Sequence, residues 1–295
     1  MALELFGLKE VKEHNISLAS SLIEQGMNSS GSVLLRNALA TSLSLPLPIT
    51  VVFEYAAPES LADHLLSLLQ DDPSQQTKKL LEQVQEDIRK VCSEIDLHAA
   101  ASLPLPTREN SRKILFTGAT GYVGCHLVSE LLRTTHATIH CVVRAQDDKT
   151  AHERVLAKLR SQLCWTQDAE TRIVGHAGNL SAPNLGLSVQ ALGFFESVDA
   201  VYHVGAVVNW VLPYSQMREN VTGGAEIIKM IAKSGRKIPF HLISTISAFS
   251  VDVVMKGGEM MEGFGGYPLS KWAGEQVAVY ARTQGLPVTI YRYNK

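Results

Sequence analysis

Apolar residues recur with a helical period through the first quarter of the chain. Two stripes have the three- to four-residue spacing of one helix face, and each predicts a helix that buries that face. The stripes are Leu35, Leu39 and Leu43, and then Leu61, Leu65 and Leu69. Pro58 stands where the second helix is expected to begin, because proline fits the first helical position. Residues 1–71 are therefore predicted to form a small all-α bundle.

A charged, amphipathic stretch follows the bundle. From Ser74 to Ile95 the apolar residues fall on one side, which predicts a connecting helix. The residues on that side are Leu80, Val84, Ile88, Val91 and Ile95. Pro104 and Pro106 then end the helical pattern, because proline forces the residue before it out of the helical region. We expect residues 72–110 to form a linker of one helix and one loop.

From residue 111 onward, short β-branched runs alternate with longer helical stretches. The predicted strands are Lys113–Thr117, Thr138–Val143, Ile173–His176, Ala200–His203, Phe240–Ser244 and Val288–Tyr291. The predicted helices include Tyr122–Leu132, Ala151–Leu163, Met217–Lys233 and Tyr267–Arg282. This alternation is typical of a doubly wound parallel sheet. The predicted fold class is α/β, with a Rossmann domain over residues 111–295 preceded by the helical bundle and the linker helix.

Composition and charge exclude several functional classes. The 295 residues are 45% hydrophobic and 19% charged, with a net charge of -2, which indicates a globular protein without a basic surface for nucleic acid. No apolar run approaches the roughly 20 residues of a membrane span. The first residues lack a cationic start and a cleavage site, so no secretory signal is expected and the cytoplasm is the expected location.

Cysteine and histidine positions give no indication of a metal site. The four cysteines have neither a C-x-x-C pair nor another metal-like spacing, and they are Cys92, Cys125, Cys141 and Cys164. Such scattered thiols suit a reducing compartment better than a disulfide framework. The histidines show no ligand spacing either, so no catalytic metal is expected.

A glycine-rich turn follows the first predicted strand and opens a helix. Glycine there allows a tight turn and a close approach of the backbone to a pyrophosphate, while the helix N-terminus supplies N–H donors for its oxygens. The predicted cofactor-binding residues of this turn are Gly118, Thr120, Gly121, Tyr122, Val123 and Gly124. The alternative is an ordinary strand–helix turn, but the strand before it and the helix after it favour dinucleotide binding.

The end of the second strand indicates which dinucleotide binds. An acidic residue there would hold a ribose 2′-hydroxyl, whereas an arginine accommodates a 2′-phosphate. Arg144 follows Val143 directly, and no acid occurs before Asp147. NADP(H) is therefore favoured over NAD(H), the alternative being that Arg144 is a solvated surface charge.

Two residues on the predicted helix Tyr267–Arg282 suggest proton transfer. Tyr267 and Lys271 are four residues apart, so both face the same side of that helix. An ammonium and an oxidised nicotinamide would lower the pKa of the phenol, which then protonates an oxyanion as hydride arrives. Hydroxyls at the end of strand Phe240–Ser244 could hydrogen-bond that oxyanion. They belong to Ser244, Thr245 and Ser247.

These motifs together resemble an extended short-chain dehydrogenase/reductase. More narrowly, residues 111–295 are similar to the thioester reductase domains that end nonribosomal peptide and polyketide synthases, with carboxylic acid reductases and fatty acyl-CoA reductases as relatives. The resemblance is carried by Thr117–Gly124, Val201–Tyr214, Glu219–Gly224, His241–Phe249 and Tyr267–Glu275. It implies a catalytic set of Thr245, Tyr267 and Lys271, supported by Asn220, with Lys271 also binding the nicotinamide ribose.

The sequence departs from this family pattern at several positions. Asn179 stands where an aspartate usually contacts the adenine, Val204 where an asparagine is usual, and Gly224 where a threonine is usual. Relatives also continue beyond the sixth strand into a substrate-binding portion. We therefore expect this chain to bind NADPH, and its turnover of thioesters to be very slow or absent.

The N-terminal bundle resembles an acyl or peptidyl carrier domain of the polyketide type. The segments that carry the resemblance are residues 26–37 and Leu45–Leu65, and the chain is expected to begin midway through the first carrier helix. Ser29 falls on the serine that bears a phosphopantetheine arm in that family. Asn28 and Ser30 depart from the usual acid and leucine, and the predicted helix Ser30–Leu43 carries Arg36 but no acid. The alternative role for Ser29 is a simple helix cap.

The two resemblances imply NADPH-dependent reduction of a carrier-bound acyl thioester to an aldehyde, with further reduction to the alcohol left open. The implied cofactors are NADPH and phosphopantetheine on Ser29. The implied partners are an acyl or peptidyl thioester, a phosphopantetheinyl transferase and upstream synthase modules, with no nucleic acid and no membrane. Two alternatives stay open: a free-standing reductase of a small carbonyl or hydroxyl substrate, and a non-catalytic synthase remnant that only binds nucleotide.

Overall fold

The chain packs into two compact units. The computed structural model describes residues 16–43, 45, 47–70, 73–97, 113–210, 212–255 and 265–294. The first unit comprises the described parts of residues 1–84, 209–216 and 260–267, and the second comprises those of residues 85–208, 217–259 and 268–295. The loop predicted within residues 98–110 and the start of the first carrier helix lie outside the described residues.

The N-terminal part of the first unit, hereafter the helical unit, is built from short helices. They are α1 (Ser29–Leu43), α2 (Val51–Glu54) and α3 (Pro58–Gln70). Their buried core consists of Leu22, Met27, Leu47, Val51, Val52, Leu61 and Leu65. The first predicted stripe packs against this core, and Pro58 begins α3 as expected. The prediction that Leu69 belongs to the second stripe is wrong: it is 53% exposed, and Leu68 packs against the core instead.

The predicted connecting helix is α4 (Pro73–Ser93). Among its apolar residues, Val84 is fully buried, and Ile95, just beyond its end, is 5% exposed. The second half of α4 packs within the second unit, where Asp87 accepts a hydrogen bond of 2.7 Å from Arg218. Glu94 pairs in the same way with Lys229.

The second unit, hereafter the sheet unit, contains one parallel six-stranded sheet of order β3-β2-β1-β4-β5-β6. The strands are β1 (Lys113–Thr117), β2 (Thr138–Val143), β3 (Ile173–Ala177), β4 (Ala200–His203), β5 (Phe240–Thr245) and β6 (Val288–Tyr293). In the register, Ile114 of β1 is opposite Ile139 of β2 and Ala200 of β4. The strand order reverses between β1 and β4, where sheets of this class bind their ligands. The predicted α/β class and all six strands are confirmed.

Helices connect the strands of the sheet unit. They are α5 (Tyr122–Thr134), α6 (Asp148–Ser161), α7 (Ala169–Arg172), α8 (Val189–Phe195), α9 (Glu219–Ser234), α10 (Ser247–Met255) and α11 (Gly266–Thr283), of which α11 begins at the border with the first unit. Helix α6 begins earlier than the predicted Ala151, because the Asp147 side chain accepts a hydrogen bond from the Thr150 N–H and caps it. No helix in the described ranges has the length and apolar character needed to cross a bilayer.

Candidate functional site

The turn between β1 and α5 is held by contacts that only glycine allows. Gly118 has a positive φ of 81°, and a Cβ built there would lie 2.5 Å from the Gly205 backbone nitrogen. A Cβ on Gly124 would lie 2.0 Å from the Gly118 carbonyl oxygen. The turn itself is closed by a 2.9 Å hydrogen bond from the Gly121 N–H to the Gly118 carbonyl. The backbone of the predicted dinucleotide turn is therefore fixed by its own packing.

The N-terminus of α5 leaves its first backbone N–H groups without a side-chain acceptor within the described residues. Gly121 is the N-cap residue and offers no side chain, and no other side chain caps the helix among the described residues. The first N–H groups of α5 carry the positive end of the helix dipole, a suitable environment for phosphate oxygens. Tyr122 is 62% exposed beside them, while Thr120 and Val123 are half-buried.

A buried hydrogen-bond network joins the ends of β1 and β4 below the turn. The Thr117 hydroxyl is 2.8 Å from His203 Nδ1 and accepts a hydrogen bond from the Gly205 N–H at 3.1 Å. Burial lowers the pKa of His203 to about 3, and the Lys271 ammonium contributes to this lowering. His203 is thus a neutral structural residue at physiological pH, in a position where two strands must stay aligned.

The edge of the sheet beyond β2 carries exposed cations. Arg144 is exposed at the end of β2, and its carbonyl accepts a hydrogen bond from Arg154 of α6. Arg154 was not predicted from the sequence; it lies nearly two turns into the helix that Asp147 caps. Asn179 lies on the neighbouring loop, which the Gly178 N–H ties to the Val143 carbonyl at 3.0 Å.

Hydroxyl groups collect where β5 meets α10. The Thr245 hydroxyl is 2.9 Å from that of Ser247, whose N–H also approaches it at 3.3 Å. Thr245 itself is 9% exposed. The buried Ser244 hydroxyl has no hydrogen-bond partner within the described ranges. Of the three hydroxyls considered from the sequence, that of Thr245 is positioned by a neighbouring hydroxyl.

Lys271 and Asn220 are buried in the sheet unit with defined partners. The Lys271 ammonium donates a hydrogen bond of 2.8 Å to the Ile243 carbonyl of β5. Burial lowers its pKa to about 8, which the Glu275 carboxylate partly opposes. The Asn220 side chain accepts from the Val207 N–H at 2.7 Å and donates to the Val207 carbonyl and the Ser270 hydroxyl. Asn220 therefore holds the loop after β4 against the helix that carries Lys271.

Tyr267 lies at the start of α11 and packs within the first unit. Gly266 before it touches the chain at Leu212, since a Cβ there would lie 2.4 Å from the Leu212 carbonyl oxygen. The ring of Trp210, which is 56% exposed, stands edge-on to the Tyr267 ring at 5.0 Å. Burial raises the pKa of Tyr267, so its phenol keeps its proton at neutral pH.

Ser29 is the first residue of α1, and it is exposed. The helix is capped by its neighbour, because the Asn28 side chain accepts a hydrogen bond of 2.8 Å from the Gly31 N–H. The capping role considered for Ser29 is thus filled by Asn28, and the Ser29 hydroxyl has no partner among the described residues. Arg36 does not project as a docking charge, since its guanidinium donates to the Leu47 carbonyl at 2.6 Å.

Two protein families match separate parts of the chain. The family described as male sterility protein, an NAD-binding type, matches residues 116–294. The family described as phosphopantetheine attachment site matches residues 4–65. A linear gramicidin synthase polypeptide of Brevibacillus parabrevis is 31% identical over 264 residues, which are 85% of this chain and 5% of that protein. The chain thus spans a small fraction of the curated relatives it matches.

Two solved structures are similar to part or nearly all of the chain. The terminal R domain from the myxalamid PKS-NRPS biosynthetic pathway has 34% sequence identity and a TM-score of 0.59, covering 70% of this chain and 55% of that chain. A thiolation-reductase di-domain from an archaeal non-ribosomal peptide synthetase covers 99% of this chain and 61% of its own, with a TM-score of 0.65. At 20% identity, that second likeness concerns the fold alone.

Proposed function

Since this chain belongs to the male sterility family of NAD-binding domains, we propose that it reduces an acyl thioester to an aldehyde with NADPH. The thioester is carried by a phosphopantetheine arm on Ser29, within the part that matches the attachment-site family. The proposal follows the relatives, whose names describe reductase and thiolation-reductase domains of peptide synthases.

One observation of the sheet unit carries the proposal. The glycine turn follows the carboxyl end of β1, and Thr245 is the last residue of β5. The Lys271 ammonium bonds to the Ile243 carbonyl of β5. Only β4 separates β1 from β5 in the sheet, so these groups gather at one edge. The turn offers donors for a pyrophosphate, and Arg144 and Arg154 provide positive charge for a 2′-phosphate at the end of β2. The residues present therefore fit NADPH, which supplies hydride when it is bound.

The other residues act on the acyl oxygen and on its proton. In the proposed mechanism, Thr245 donates a hydrogen bond to the oxygen as negative charge develops, and Tyr267 gives up its phenolic proton. Lys271 supplies the positive charge that favours the resulting phenolate. Hydride and one proton together convert the thioester into an aldehyde and a free thiol. Asn220 is a positioning residue, because its side chain is fully engaged by the Val207 backbone and Ser270.

The carrier part of the proposal depends on the position of Ser29. Its hydroxyl is exposed at a helix N-terminus, where the positive dipole end favours a phosphodiester. The partners are then a phosphopantetheinyl transferase and upstream synthase modules. A cytoplasmic location is part of the proposal, and the cysteines, all free, suit a reducing compartment.

A loading assay tests the proposal on the full chain. A transferase would attach an acyl-phosphopantetheine to Ser29, and NADPH oxidation and aldehyde formation would then be followed together. We expect one aldehyde per NADPH consumed, and no aldehyde from Ser29→Ala under the same conditions. Reduction of small ketones with equal rates by the loaded and unloaded chain would indicate a free-standing reductase. NADPH binding without oxidation of any thioester would indicate a non-catalytic remnant.

A further inference from the structure

Folding brings two cysteines and a histidine together near the first turn of α5. Cys125 and His126 belong to α5, and Cys164 follows α6. The Cys164 sulfur is 3.0 Å from His126 Nδ1. The potential ligand atoms of the three residues all lie within 4.8 Å of one another. No other such group of ligating side chains occurs in the described part of the chain.

The local backbone holds these three side chains in place. Cys125 directly follows Gly124 of the dinucleotide turn, is fully buried, and donates its thiol hydrogen to the Tyr122 carbonyl at 3.0 Å. Leu163, the residue before Cys164, has a positive φ of 55° and is 95% exposed. That backbone region and that exposure are both unfavourable for a leucine side chain. The cluster is thus fixed on one side by the turn and on the other by a constrained loop.

We propose that Cys125, His126 and Cys164 form a binding site for a thiophilic divalent cation of the Zn²⁺ class. Sulfur and imidazole nitrogen are the ligands that Zn²⁺ prefers. Tetrahedral coordination at Zn–S of about 2.3 Å and Zn–N of about 2.0 Å needs ligand atoms about 3.5–3.8 Å apart. The Cys164 sulfur and His126 Nδ1, now 3.0 Å apart, would have to open by about 0.5 Å. Since no two ligand atoms lie more than 4.8 Å apart, no separation needs to shorten by more than about 1.3 Å.

Charge and burial agree with this assignment. The metal displaces both thiol protons, and two thiolates then cancel its two positive charges, so no net charge enters the apolar surroundings of Cys125. Cys164 is half-buried and His126 is exposed, so water can reach the cluster as a fourth ligand. The site is separate from the residues proposed to act on the thioester.

Cobalt titration of the untagged, fully reduced chain tests the site. We expect one Co²⁺ per chain with a thiolate-to-cobalt charge-transfer band, release of two protons, and displacement by an equivalent of Zn²⁺. Cys164→Ser and His126→Gln change half-buried or exposed side chains and should leave the fold intact. Each should weaken Co²⁺ binding by at least roughly 10–100-fold, because the loss of an outer-shell partner alone weakens metal binding by that factor.

Matched controls lie elsewhere in the molecule. Cys92→Ser and His136→Gln remove the same kinds of side chain away from the cluster and should leave the band and the affinity unchanged. Absence of a thiolate band in the unmodified chain would overturn the proposal. So would a Co²⁺ affinity that Cys164→Ser leaves unchanged, because the metal would then be bound by other groups.

Discussion

The helical unit and the sheet unit hold their proposed functional side chains in opposite ways. In the sheet unit, Lys271 and Asn220 are buried and each bonds to backbone atoms of the same unit. In the helical unit, Ser29 is exposed and has no partner among the described residues, while Asn28 performs the capping that would otherwise occupy it.

The difference agrees with the role proposed for each side chain. A group that stabilises a developing charge acts best when its position is fixed before the reaction. A serine that another enzyme modifies must instead be accessible to that enzyme. A change in one unit is therefore expected to leave the function of the other unit intact. Five changes test this expectation, from the largest effect to the smallest.

Ser29→Ala should abolish modification completely. Incubation with coenzyme A and a broad-specificity transferase should add one phosphopantetheine mass to the unmodified chain and none to the variant. The matched control is Ser30→Ala, which removes the neighbouring exposed hydroxyl and should still be modified. NADPH affinity should be the same in all three proteins. A mass gain on Ser29→Ala would place the arm elsewhere.

Gly124→Ala should remove measurable NADPH binding while leaving modification of Ser29 intact. The added Cβ would lie 2.0 Å from the Gly118 carbonyl oxygen, so the turn must open. Gly193→Ala is the control in the same unit, because a Cβ there meets nothing within 4 Å. Fluorescence titration with NADPH measures the effect, and far-UV circular dichroism checks the fold. Normal affinity in Gly124→Ala would contradict the assigned turn.

Tyr267→Phe should lower thioester turnover by about 100-fold or more, the usual effect of losing a general acid. NADPH affinity should hardly change, because only the phenolic oxygen is removed. Tyr280→Phe, a half-buried tyrosine on the same helix, serves as the control and should keep its turnover. Full activity of Tyr267→Phe in single-turnover assays would mean that another group donates the proton.

Acid should destabilise the sheet unit. Burial lowers the pKa of His140 to about 4, helped by the nearby charges of His176 and Lys113. The unfolded chain protonates this histidine from about pH 6.5 downward, whereas the folded chain keeps it neutral down to about pH 4. The stability that neutral His140 contributes is therefore complete above pH 6.5 and is lost as the pH falls to 4. At about 1.4 kcal/mol per pKa unit, the loss is about 3 kcal/mol.

Urea unfolding followed by tryptophan fluorescence measures this loss, because Trp165 and Trp272 report on the sheet unit. His140→Phe keeps an aromatic ring stacked against His176 and Phe194 and should flatten the pH dependence by a similar amount. A sheet unit whose stability does not change between pH 6.5 and 4 would contradict the neutral, buried state of His140.

Arg144→Ala should have the smallest effect, weakening NADPH binding about tenfold and leaving NADH binding unchanged. A charge-assisted hydrogen bond contributes about 1.5 kcal/mol, and Arg154 stays in place to provide part of the positive charge. Lys149→Ala, which removes a neighbouring exposed cation, is the control. Equal affinities of the unmodified chain for NADPH and NADH would remove the basis for choosing NADPH.

Sequence reasoning succeeds where the signal is local. Buried parallel strands are continuous apolar runs, so β1, β2 and β4 are predicted to the residue, and the glycine turn is recognised from its spacing. The missed features depend on contacts between distant positions. His126 and Cys164 meet although 38 residues separate them, and the exposure of Leu69 depends on how α3 packs. The start of α6 is also predicted too late, but here the signal is local, because Asp147 is a typical N-cap residue.

The central place of β1 in the sheet sets the order in which the nucleotide turn can be completed. Its neighbour β2 follows after a single helix, but Thr117 also bonds to Gly205, which is 88 residues further along the chain. During synthesis, the helical unit and the β1–β2 pair emerge long before this partner. The turn is thus made early and completed late, so a growing chain should not bind NADPH before β4 joins β1.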